Sequence, residues 1–336
     1  MKRTGDLFKE ILELDNLLAA FHAAALGKAD RGEVIAFRSR LHERLCDIRE
    51  RLANATFEFG DYREFEIRDP KQRTIQAAPF EQRVVHHAMV RIVGPMLERS
   101  LIHHCYACRK GKGQHAAALA AQGFSRKAPF YLKMDIDKFY DSISHARLLN
   151  LLARRFRERR LLELFDSLLN SYHTEPGRGL PIGNLTSQYL GNLYLDPFDH
   201  WITEEQGLGN YVRYMDDMVV WGTHQRLRKL RPDSESFLAD DLRLAVKHDG
   251  ELNRCSQGVP FVGWVVYPDK LRLGGGAKKR FSRRIRRIEK AYRSGLIDEH
   301  ELHERGTALY AAVDQGDTTG LRAAVANRGM VLPGYA

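Results

Sequence analysis

The chain has 336 residues, enough for one large domain or two to three smaller ones, and its hydrophobic fraction of 43% excludes a disordered tail. Its 53 lysines and arginines outnumber 43 aspartates and glutamates, and the net charge of +10 favours a polyanionic partner because cationic side chains neutralise phosphates. No apolar run reaches about 18 residues and no signal peptide is recognisable, so we expect a cytoplasmic protein with no membrane partner.

The first third of the chain predicts helices, then a hairpin, then a longer helix. Apolar residues recur at helical spacing from Leu7 to about Leu52, and the segment from Gly27 to Gly32 divides this stretch into two helices. Alternating apolar residues from Phe57 to Arg68 predict a strand, Asp69-Pro70 a turn, Thr74 to Ala78 a returning strand, and Glu81 to Leu101 a helix.

The remainder alternates between short apolar runs and helical segments. Phe130 to Met134 is short, apolar and bounded by acidic residues, which predicts a buried strand. The whole order predicts an α+β fold with a small antiparallel sheet and a helical C-terminal appendage. We expect helices at 146–172, 186–206 and 237–246, a hairpin at 211–221, two short strands within 259–273, a hinge at 274–276, and basic helices from about 277 to 327.

Two acidic clusters, Met134 to Asp141 and Tyr214 to Asp217, lie about eighty residues apart. If the first strand continues, Asp135 and Asp137 share one of its faces. Carboxylates at the ends of apolar strands are costly unless they bind a cation, and hard oxygen ligands select Mg²⁺ or Mn²⁺. Two such ions about 4 Å apart can activate a 3′-hydroxyl and stabilise departing pyrophosphate. For either cluster alone, a solvated turn is the alternative.

These clusters resemble the catalytic boxes of reverse transcriptases. Tyr214-Met215-Asp216-Asp217 is similar to the box that carries two adjacent carboxylates, and Asp135 with Phe139-Tyr140-Asp141 is similar to its partner. Other segments match in the order of the bacterial, group II intron-like enzymes: the fingers motifs at 68–73, 81–85 and 106–113, the primer-grip turn at 261–264, and the thumb after Gly276.

The resemblance implies the right-hand polymerase architecture of fingers, palm and thumb. It implies an N-terminal helical extension at 1–56, fingers at 57–128, a palm at 129–273 that includes fingers-derived helices at about 146–180, and a helical thumb at 277–336.

The segment from Gly179 to Gln188 is the most informative about the branch of the family. Most reverse transcriptases carry a glutamine where Ile182 stands and a proline where Gln188 stands. The version here is similar to the enzymes of diversity-generating retroelements, which copy a template RNA and misread adenines. An apolar side chain in place of an amide would loosen the check on the incoming nucleotide. Ordinary packing of Ile182 before a helix is the alternative.

The resemblance also implies residue roles. Asp135 and Asp216 would ligate metal, Asp217 would be the third carboxylate, and the backbone carbonyl of Ile136 would complete a metal shell. Asp137 would support these ligands from behind, and Asp141 would cap the helix near residues 142–145.

A second set would bind the nucleotide. Lys71 and Arg73 would contact the triphosphate through charge-assisted bonds, and Tyr140 would lie under the sugar and exclude a 2′-hydroxyl. Ile182 and Gly183 would lie near the nascent base pair. Lys247 is a candidate acid for pyrophosphate release, with a solvated lysine at a helix end as the alternative.

Basic residues cluster in two places. For the cluster after Gly276, a solvated helix is the alternative to a thumb that grips the template–primer backbone. Cys105 and Cys108 form a CxxC pair, but the sequence indicates neither a disulfide framework nor a complete zinc site. The candidate nucleic-acid-binding residues are Arg109, Lys110 and Lys112 in the fingers, and Lys278, Lys279, Arg280, Arg283, Arg284, Arg286 and Arg287 in the thumb.

The sequence thus predicts an RNA-directed DNA polymerase of a diversity-generating retroelement. Its expected partners are a template RNA and the RNA–DNA hybrid, deoxynucleoside triphosphates, and an accessory protein or structured non-coding RNA. An antiphage-defence reverse transcriptase that copies an associated non-coding RNA is one alternative. A catalytically inactive RNA-binding scaffold is another, which the intact carboxylates and Tyr140 disfavour.

Overall fold

The computed structural model describes residues 6–68, 72–247 and 250–326. They group into two compact units, each made of segments that are discontinuous in the sequence. The domain boundaries expected from the family follow chain order, and they stay a prediction. The first unit comprises the described parts of Met1–His103, Ile136–Gln206 and Asp233–Lys247, and the second those of His104–Asp135, Gly207–Pro232 and His248–Ala336.

The first unit begins with four helices where the sequence predicted two. The extended backbone of Glu13 and the non-helical backbone of Arg40 each interrupt a stretch whose apolar spacing is continuous. Phe21 of α2 and Phe37 of α3 stack on each other and both meet Phe80 of α5 edge-on, with ring centroids 5.2 to 6.0 Å apart. The elements are α1 (Leu7–Leu12), α2 (Leu14–Ala25), α3 (Gly32–Arg38), α4 (Leu41–Ala53) and α5 (Phe80–Glu98).

A two-stranded hairpin precedes α5. Strand β1 (Arg63–Arg68) pairs antiparallel with β2 (Gln72–Ala77), and Phe65 lies opposite Ile75. The strand expected from Phe57 onward begins only at Arg63. Most of the hairpin's side chains are exposed, and the buried exception is Gln76 on β2.

The other elements of the first unit are helical. The helix expected at 237–246 is wrong: α11 begins at His224, continues through Pro232 and ends at Asp240. Arg243 then adopts a φ of 54°, and Val246 pairs with Ile136 in an isolated antiparallel bridge. The single helix expected at 146–172 is two helices. The elements are α7 (Phe139–Ser142), α8 (His145–Ala153), α9 (Arg159–Asn170), α10 (Leu185–His200) with a π-helical turn (Trp201–Glu205), and α11 (His224–Asp240), of which the residues up to Pro232 belong to the second unit.

A four-stranded antiparallel sheet forms the centre of the second unit. Its order is β4-β5-β3-β6, so the central strands β5 and β3 have neighbours on both sides. Residues Met218 to Trp221 of β5 are all fully buried, which explains why this strand reads as a continuous apolar run. The strands are β3 (Phe130–Asp135), β4 (Tyr211–Tyr214), β5 (Asp217–Gly222) and β6 (Glu251–Arg254), and α6 (Gln114–Lys127) contributes to the same core.

A second sheet and three C-terminal helices complete this unit. Three short strands stand where two were expected, and the expected glycine hinge is a helix start, because α12 begins at Gly275. Phe281 of α12 packs edge-on against Tyr310 of α13 with ring centroids 5.4 Å apart. The elements are β7 (Val259–Phe261), β8 (Trp264–Val266), β9 (Leu271–Leu273), α12 (Gly275–Arg293), α13 (Glu299–Ala311) and α14 (Thr319–Ala326).

Helices and antiparallel sheets together confirm the α+β class. Within the described ranges, no helix combines the length and the apolar character that a membrane span requires.

Candidate active site

Three carboxylates meet at one edge of the four-stranded sheet. Asp135 is the last residue of β3, Asp217 is the first residue of β5, and the two are direct partners across the antiparallel pair. Tyr214 pairs with Asp217, so Met215 and Asp216 form a two-residue turn between β4 and β5. Strand pairing therefore brings together residues that lie about eighty positions apart in the sequence.

A fully buried arginine supports this turn. Met215 has a φ of 54°, a left-handed conformation that costs free energy for a side chain with a Cβ atom. The Nη1 atom of Arg213 donates a hydrogen bond of 3.2 Å to the Met215 carbonyl, and the Arg213 side chain is completely buried. Sequence reasoning missed Arg213, although an arginine in an apolar strand three residues before Asp216 is a signal for such a role.

Asp216 lies in an environment that disfavours its negative charge. Burial, followed by repulsion from Asp135, raises the pKa of Asp216 to about 6, although its own backbone N–H partly opposes the rise. A hydrogen bond between the two side chains also favours the protonated form. Asp135 and Asp216 are therefore a closely coupled carboxylate pair whose repulsion a divalent cation would relieve.

Asp217, in contrast, has a cation from the chain itself. The ammonium of Lys133 lies 3.2 Å from Oδ1 of Asp217 and donates a hydrogen bond of 3.4 Å to Oδ2. Burial raises the pKa of Asp217, while Lys133 and the backbone N–H of Val262 act in the opposite direction. Lys133 also donates a bond of 2.7 Å to the carbonyl of Pro260. Asp217 is thus tied to the turn between β7 and β8, the segment that resembles a primer grip.

The donor set suits a small hard cation that keeps part of its water shell. In the described part of the chain, no three His, Cys, Asp or Glu side chains converge closely enough to hold a metal ion among themselves. Asp217 is paired with Lys133, and Asp135 and Asp216 are the other two carboxylates at this edge. Mg²⁺ is commonly bound by one or two carboxylates together with substrate phosphates and water, so the pair fits it.

Sequence reasoning also missed Lys133. The available signal was its place two residues before Asp135 in an apolar strand, because alternating side chains put both residues on the same face. The strand does not continue to Asp137, as a shared face with Asp135 would require. β3 ends at Asp135, and the Asp137 N–H donates to the carbonyl of Ala245 at 2.9 Å. Asp137 therefore does not continue the strand face of Asp135.

The residues expected at the nucleotide belong to the first unit. Arg73 is exposed on β2, Lys247 is half-buried after the bridge residue Val246, and Lys71 lies outside the described residues. Tyr140 is half-buried in α7, and its backbone carbonyl accepts a bond of 2.8 Å from the Leu180 N–H.

The expected helix cap at Asp141 is wrong. Asp141 lies inside α7 and does not cap the following helix. The cap of α8 is Ser144, whose hydroxyl accepts a bond of 3.5 Å from the Arg147 N–H. Ile136 is buried and pairs with Val246, and its carbonyl stays a predicted metal ligand.

The segment that contains Ile182 is held on the hairpin by its backbone. The backbone N–H of Gln76 donates to the Ile182 carbonyl, and its side-chain Oε1 accepts from the Ile182 N–H, both at 2.9 Å. The amide of Asn184 adds a bond of 3.2 Å to the Gln76 carbonyl. Gly183 has a φ of 109°, and a Cβ there would lie 2.7 Å from Cγ2 of Ile75. The half-buried Ile182 side chain is thus set by backbone contacts on both sides.

The candidate nucleic-acid-binding residues of the second unit lie in the loop before α6 and in helix α12. Arg109 donates a bond of 3.0 Å to the Cys105 carbonyl, and the Lys112 ammonium lies 4.8 Å from the centre of the Tyr106 ring. In α12, Phe281 and Ile285 are buried and leave the basic residues on the remaining faces. Lys278, Lys279, Arg283, Arg284, Arg286 and Arg287 are exposed, Arg280 is half-buried, and Lys110 precedes α6 in an exposed loop.

The fold and the carboxylate edge together are those of a nucleic-acid polymerase with a right-hand architecture. Residues 67–253, more than half of the chain, match the family model described as "Reverse transcriptase (RNA-dependent DNA polymerase)". The chain belongs to this family, which confirms the resemblance to reverse transcriptases that the sequence motifs indicated.

Curated relatives and a solved structure agree with this assignment. The putative COX1/OXI3 intron 2 protein of Saccharomyces cerevisiae is 22% identical over 279 residues, which cover 62% of this chain and 32% of the relative. Protein YkfC of Escherichia coli is 21% identical over 250 residues, which cover 61% of this chain and 65% of the relative. Apo telomerase from Candida tropicalis superposes with a TM-score of 0.52 at 12% identity, over 80% of this chain and 59% of that one, and shows the shared fold.

The names and lengths of the relatives show which branch of the family the chain resembles and how much of each relative it spans. The intron-protein names among them support the group II intron-like assignment. The chain spans about a third or less of the two yeast intron proteins that it matches.

Proposed function

We propose that this protein makes cDNA from a dedicated template RNA by two-metal nucleotidyl transfer. In this reaction the 3′-hydroxyl oxygen of the growing strand attacks the α-phosphorus of a deoxynucleoside triphosphate, and the bond to pyrophosphate breaks. The observation that carries the proposal is the strand pairing and tight turn that bring Asp135, Asp216 and Asp217 to one edge of the sheet, where burial and then repulsion from Asp135 raise the pKa of Asp216 to about 6. Family membership supports the same chemistry.

The chain's own residues divide the work at the carboxylate edge. Asp135 and Asp216 would supply oxygen ligands to divalent ions, with the Ile136 carbonyl as an expected third donor; such ions, when bound, would supply the charge that activates a 3′-hydroxyl and stabilises departing pyrophosphate. Arg213 holds the turn that presents Asp216. Lys133 holds Asp217 beside the turn after β7, so Asp217 acts first as an anchor for that turn.

The nucleotide set completes the proposal. Arg73 and Lys71 bind the triphosphate, Tyr140 excludes a 2′-hydroxyl and so selects deoxynucleotides, and Lys247 protonates pyrophosphate. The exposed guanidinium of Arg73 on β2 is accessible to such a ligand. Template RNA and RNA–DNA hybrid are the proposed polyanionic partners, in keeping with the net charge of +10.

The finer proposal is loose copying at template adenines, as in a diversity-generating retroelement. It is supported by Ile182, which offers no hydrogen-bonding group and whose backbone is held on both sides by Gln76. Because the backbone position is set, the identity of this side chain decides what contacts the nascent base pair. An apolar side chain accepts a mispair more readily than an amide that must keep its hydrogen bonds.

Sequencing of cDNA made by the purified protein tests both levels. We expect cDNA synthesis that depends on Asp216, with substitutions concentrated opposite template adenines. Uniform fidelity at all four bases would contradict the mutagenic role and leave the polymerase role intact. Polymerisation that survives Asp216→Ala would contradict the mechanism itself.

The antiphage-defence alternative shares this chemistry and differs in its template. A template and variable repeat pair beside the gene supports the retroelement role, and a lone RNA gene in a defence island supports the defence role. An inactive scaffold predicts RNA binding with no cDNA from any template.

A further inference from the structure

A basic cavity lies in the first unit, and none of the described residues that line it belongs to the catalytic, nucleotide-binding or nucleic-acid-binding sets given above. Its volume of about 460 Å³ is within the range of about 300–1,000 Å³ that is common for ligand sites. Among the described residues that line it, the polar groups are chiefly donors and none is a carboxylate. They are Ser144, Arg147, Asn150, Arg154 and Arg243, with Ala146, Leu151 and Ala153 as apolar floor.

A buried tyrosine holds the two walls of this cavity together. The Tyr194 hydroxyl donates a bond of 2.7 Å to the Leu242 carbonyl and accepts one of 3.3 Å from the Ser144 N–H. The first bond fixes the residue before Arg243, and the second fixes the start of α8. The backbone that carries the guanidinium groups is therefore held in place before a ligand binds, which lowers the entropic cost of binding.

The positive charges converge. Burial raises the pKa of Tyr194, and the positive charges of Arg147, Arg178 and Arg243 oppose that rise together with the Ser144 N–H. Three guanidinium groups thus act on the Tyr194 hydroxyl, and two of them, those of Arg147 and Arg243, line the cavity. Among the described residues, Arg147 forms an ion pair with the exposed Asp241 at 3.8 Å, and such solvent-accessible pairs contribute little. Within the described ranges, no ion pair neutralises Arg154, Arg178 or Arg243.

The spacing of these charges indicates the shape of the ligand. Arg147 and Arg154 are seven residues apart on and just after α8, about 10 Å along the helix axis. This distance exceeds one phosphate group and fits a run of successive phosphates. No aromatic ring lines the cavity in the part of the chain that the structure describes, so it offers no stacking platform for a base.

We infer that this cavity binds the sugar-phosphate backbone of RNA, independently of sequence. The choice of RNA as the polyanion rests on the proposed function, whereas the phosphate chemistry rests on the arginines. Contacts of this kind position a nucleic acid without reading its bases. The cavity would therefore add affinity for template RNA at a place that takes no part in catalysis.

The salt dependence of RNA binding tests this inference. A fluorescein-labelled single-stranded RNA of mixed sequence is titrated with the full-length protein at several salt concentrations, and binding is followed by anisotropy. For the triple variant R147Q/R154Q/R243Q, the slope of log K against log salt should become shallower by about 2, since each lost phosphate contact contributes about 0.7 for single strands. The matched control is R31Q/R38Q/R44Q, which removes three exposed arginines of the same unit and should leave the slope unchanged.

A lysine variant and a folding check complete the salt-dependence experiment. The variant R147K/R154K/R243K should keep the wild-type slope, because lysine also neutralises phosphate, and equal thermal melting of all variants shows that they fold. An equal change of slope in both glutamine variants, or none in either, overturns the inference. So does loss of deoxynucleoside triphosphate binding with an unchanged RNA slope, which would mark a site for free nucleotides.

The proposed function is read out separately from this site. Primer extension at saturating primer–template should be unchanged in R147Q/R154Q/R243Q, and Asp216→Ala should abolish extension while the slope of RNA binding stays as in wild type. A cavity variant that loses extension at saturation contradicts a role limited to binding. A wild-type protein that binds RNA but extends no primer sinks the proposed function alone.

Discussion

The carboxylate edge of the second unit and the Ile182 segment of the first unit are held in opposite ways. At the carboxylate edge, charged side chains contact one another, and Lys133, Asp217 and Arg213 form the support. In the Ile182 segment, the backbone of Gln76 and its amide bind the backbone of Ile182. Removal of one charge at the carboxylate edge leaves its partner unpaired, whereas a segment held by its backbone leaves its side chain free to vary. Chemistry and selectivity should therefore respond differently to substitution.

The largest expected effect is at the coupled pair. Asp135→Asn and Asp216→Asn each remove a charged ligand for divalent ions, and several kcal/mol of transition-state stabilisation correspond to a loss of about 10³-fold or more in primer extension. Steady-state extension rates over a Mg²⁺ titration measure the effect. Asp240→Asn, an exposed aspartate at the end of α11, is the control and should extend at the wild-type rate. A loss of less than tenfold in both site variants would show that the pair does not bind the ions.

The second prediction concerns Lys133 as a positioning residue. Lys133→Gln leaves the buried Asp217 without its cation and frees the Pro260 carbonyl, so we expect kcat to fall by about 10- to 100-fold, equivalent to about 1.5–3 kcal/mol. Because Asp217 is then free to bind metal, the Mg²⁺ concentration for half-maximal activity should also shift.

A purely structural role for Lys133 would lower stability and leave that Mg²⁺ dependence unchanged. Lys133→Arg keeps the charge and should recover most of the activity. Lys229→Gln, which removes an exposed lysine of α11, is the matched control and should behave as wild type.

These two regions also differ in how far the sequence predicts them. Asp135 and Asp216 were predictable because the chemistry demands carboxylates at strand ends and the family preserves their order. Lys133, Arg213 and Gln76 were not assigned, because their roles arise from strand pairing and hairpin docking between distant positions. Local periodicity does not encode such long-range contacts.

Errors in the helices have local causes. The helix expected to begin at Phe237 begins at His224 and runs through Pro232, a residue type that usually interrupts helices. Beyond the helix, the left-handed conformation of Arg243 turns the chain, although nothing in the apolar spacing up to Val246 marks that change.

The third prediction tests the backbone attachment of the Ile182 segment. Gly183→Ala adds a Cβ at a φ of 109° and only 2.7 Å from Ile75, so we expect a loss of about 1–3 kcal/mol in the free energy of unfolding. Chemical denaturation measures this loss. The double variant Gly183→Ala, Ile75→Ala should recover the part due to the contact and keep the part due to the backbone.

The control for Gly183 is another glycine. Gly209→Ala places its Cβ in open space without a positive φ and should change stability little. Equal stability of Gly183→Ala and Gly209→Ala would show that the segment is not attached as described.

The smallest expected effect is a change in copying fidelity caused by substitution of Ile182. Ile182→Gln returns a hydrogen-bonding amide to a backbone position that Gln76 keeps fixed, so the change should act on the nascent pair without moving the segment. One hydrogen bond contributes about 0.5–1.5 kcal/mol, which predicts a decrease of about 2- to 12-fold in misincorporation opposite template adenine.

Deep sequencing of cDNA from Ile182→Gln measures the error spectrum, with Ile35→Gln as the control because Ile35 is an exposed isoleucine of the same unit. The extension rate should stay near that of wild type, since Asp135 and Asp216 are untouched. An unchanged adenine error rate would mean that Ile182 only packs, and the source of loose copying would then lie elsewhere. A fall in errors at all four bases would indicate a general effect on the fit of the nascent pair. A fall confined to adenine would link this one side chain to the proposed mutagenic role.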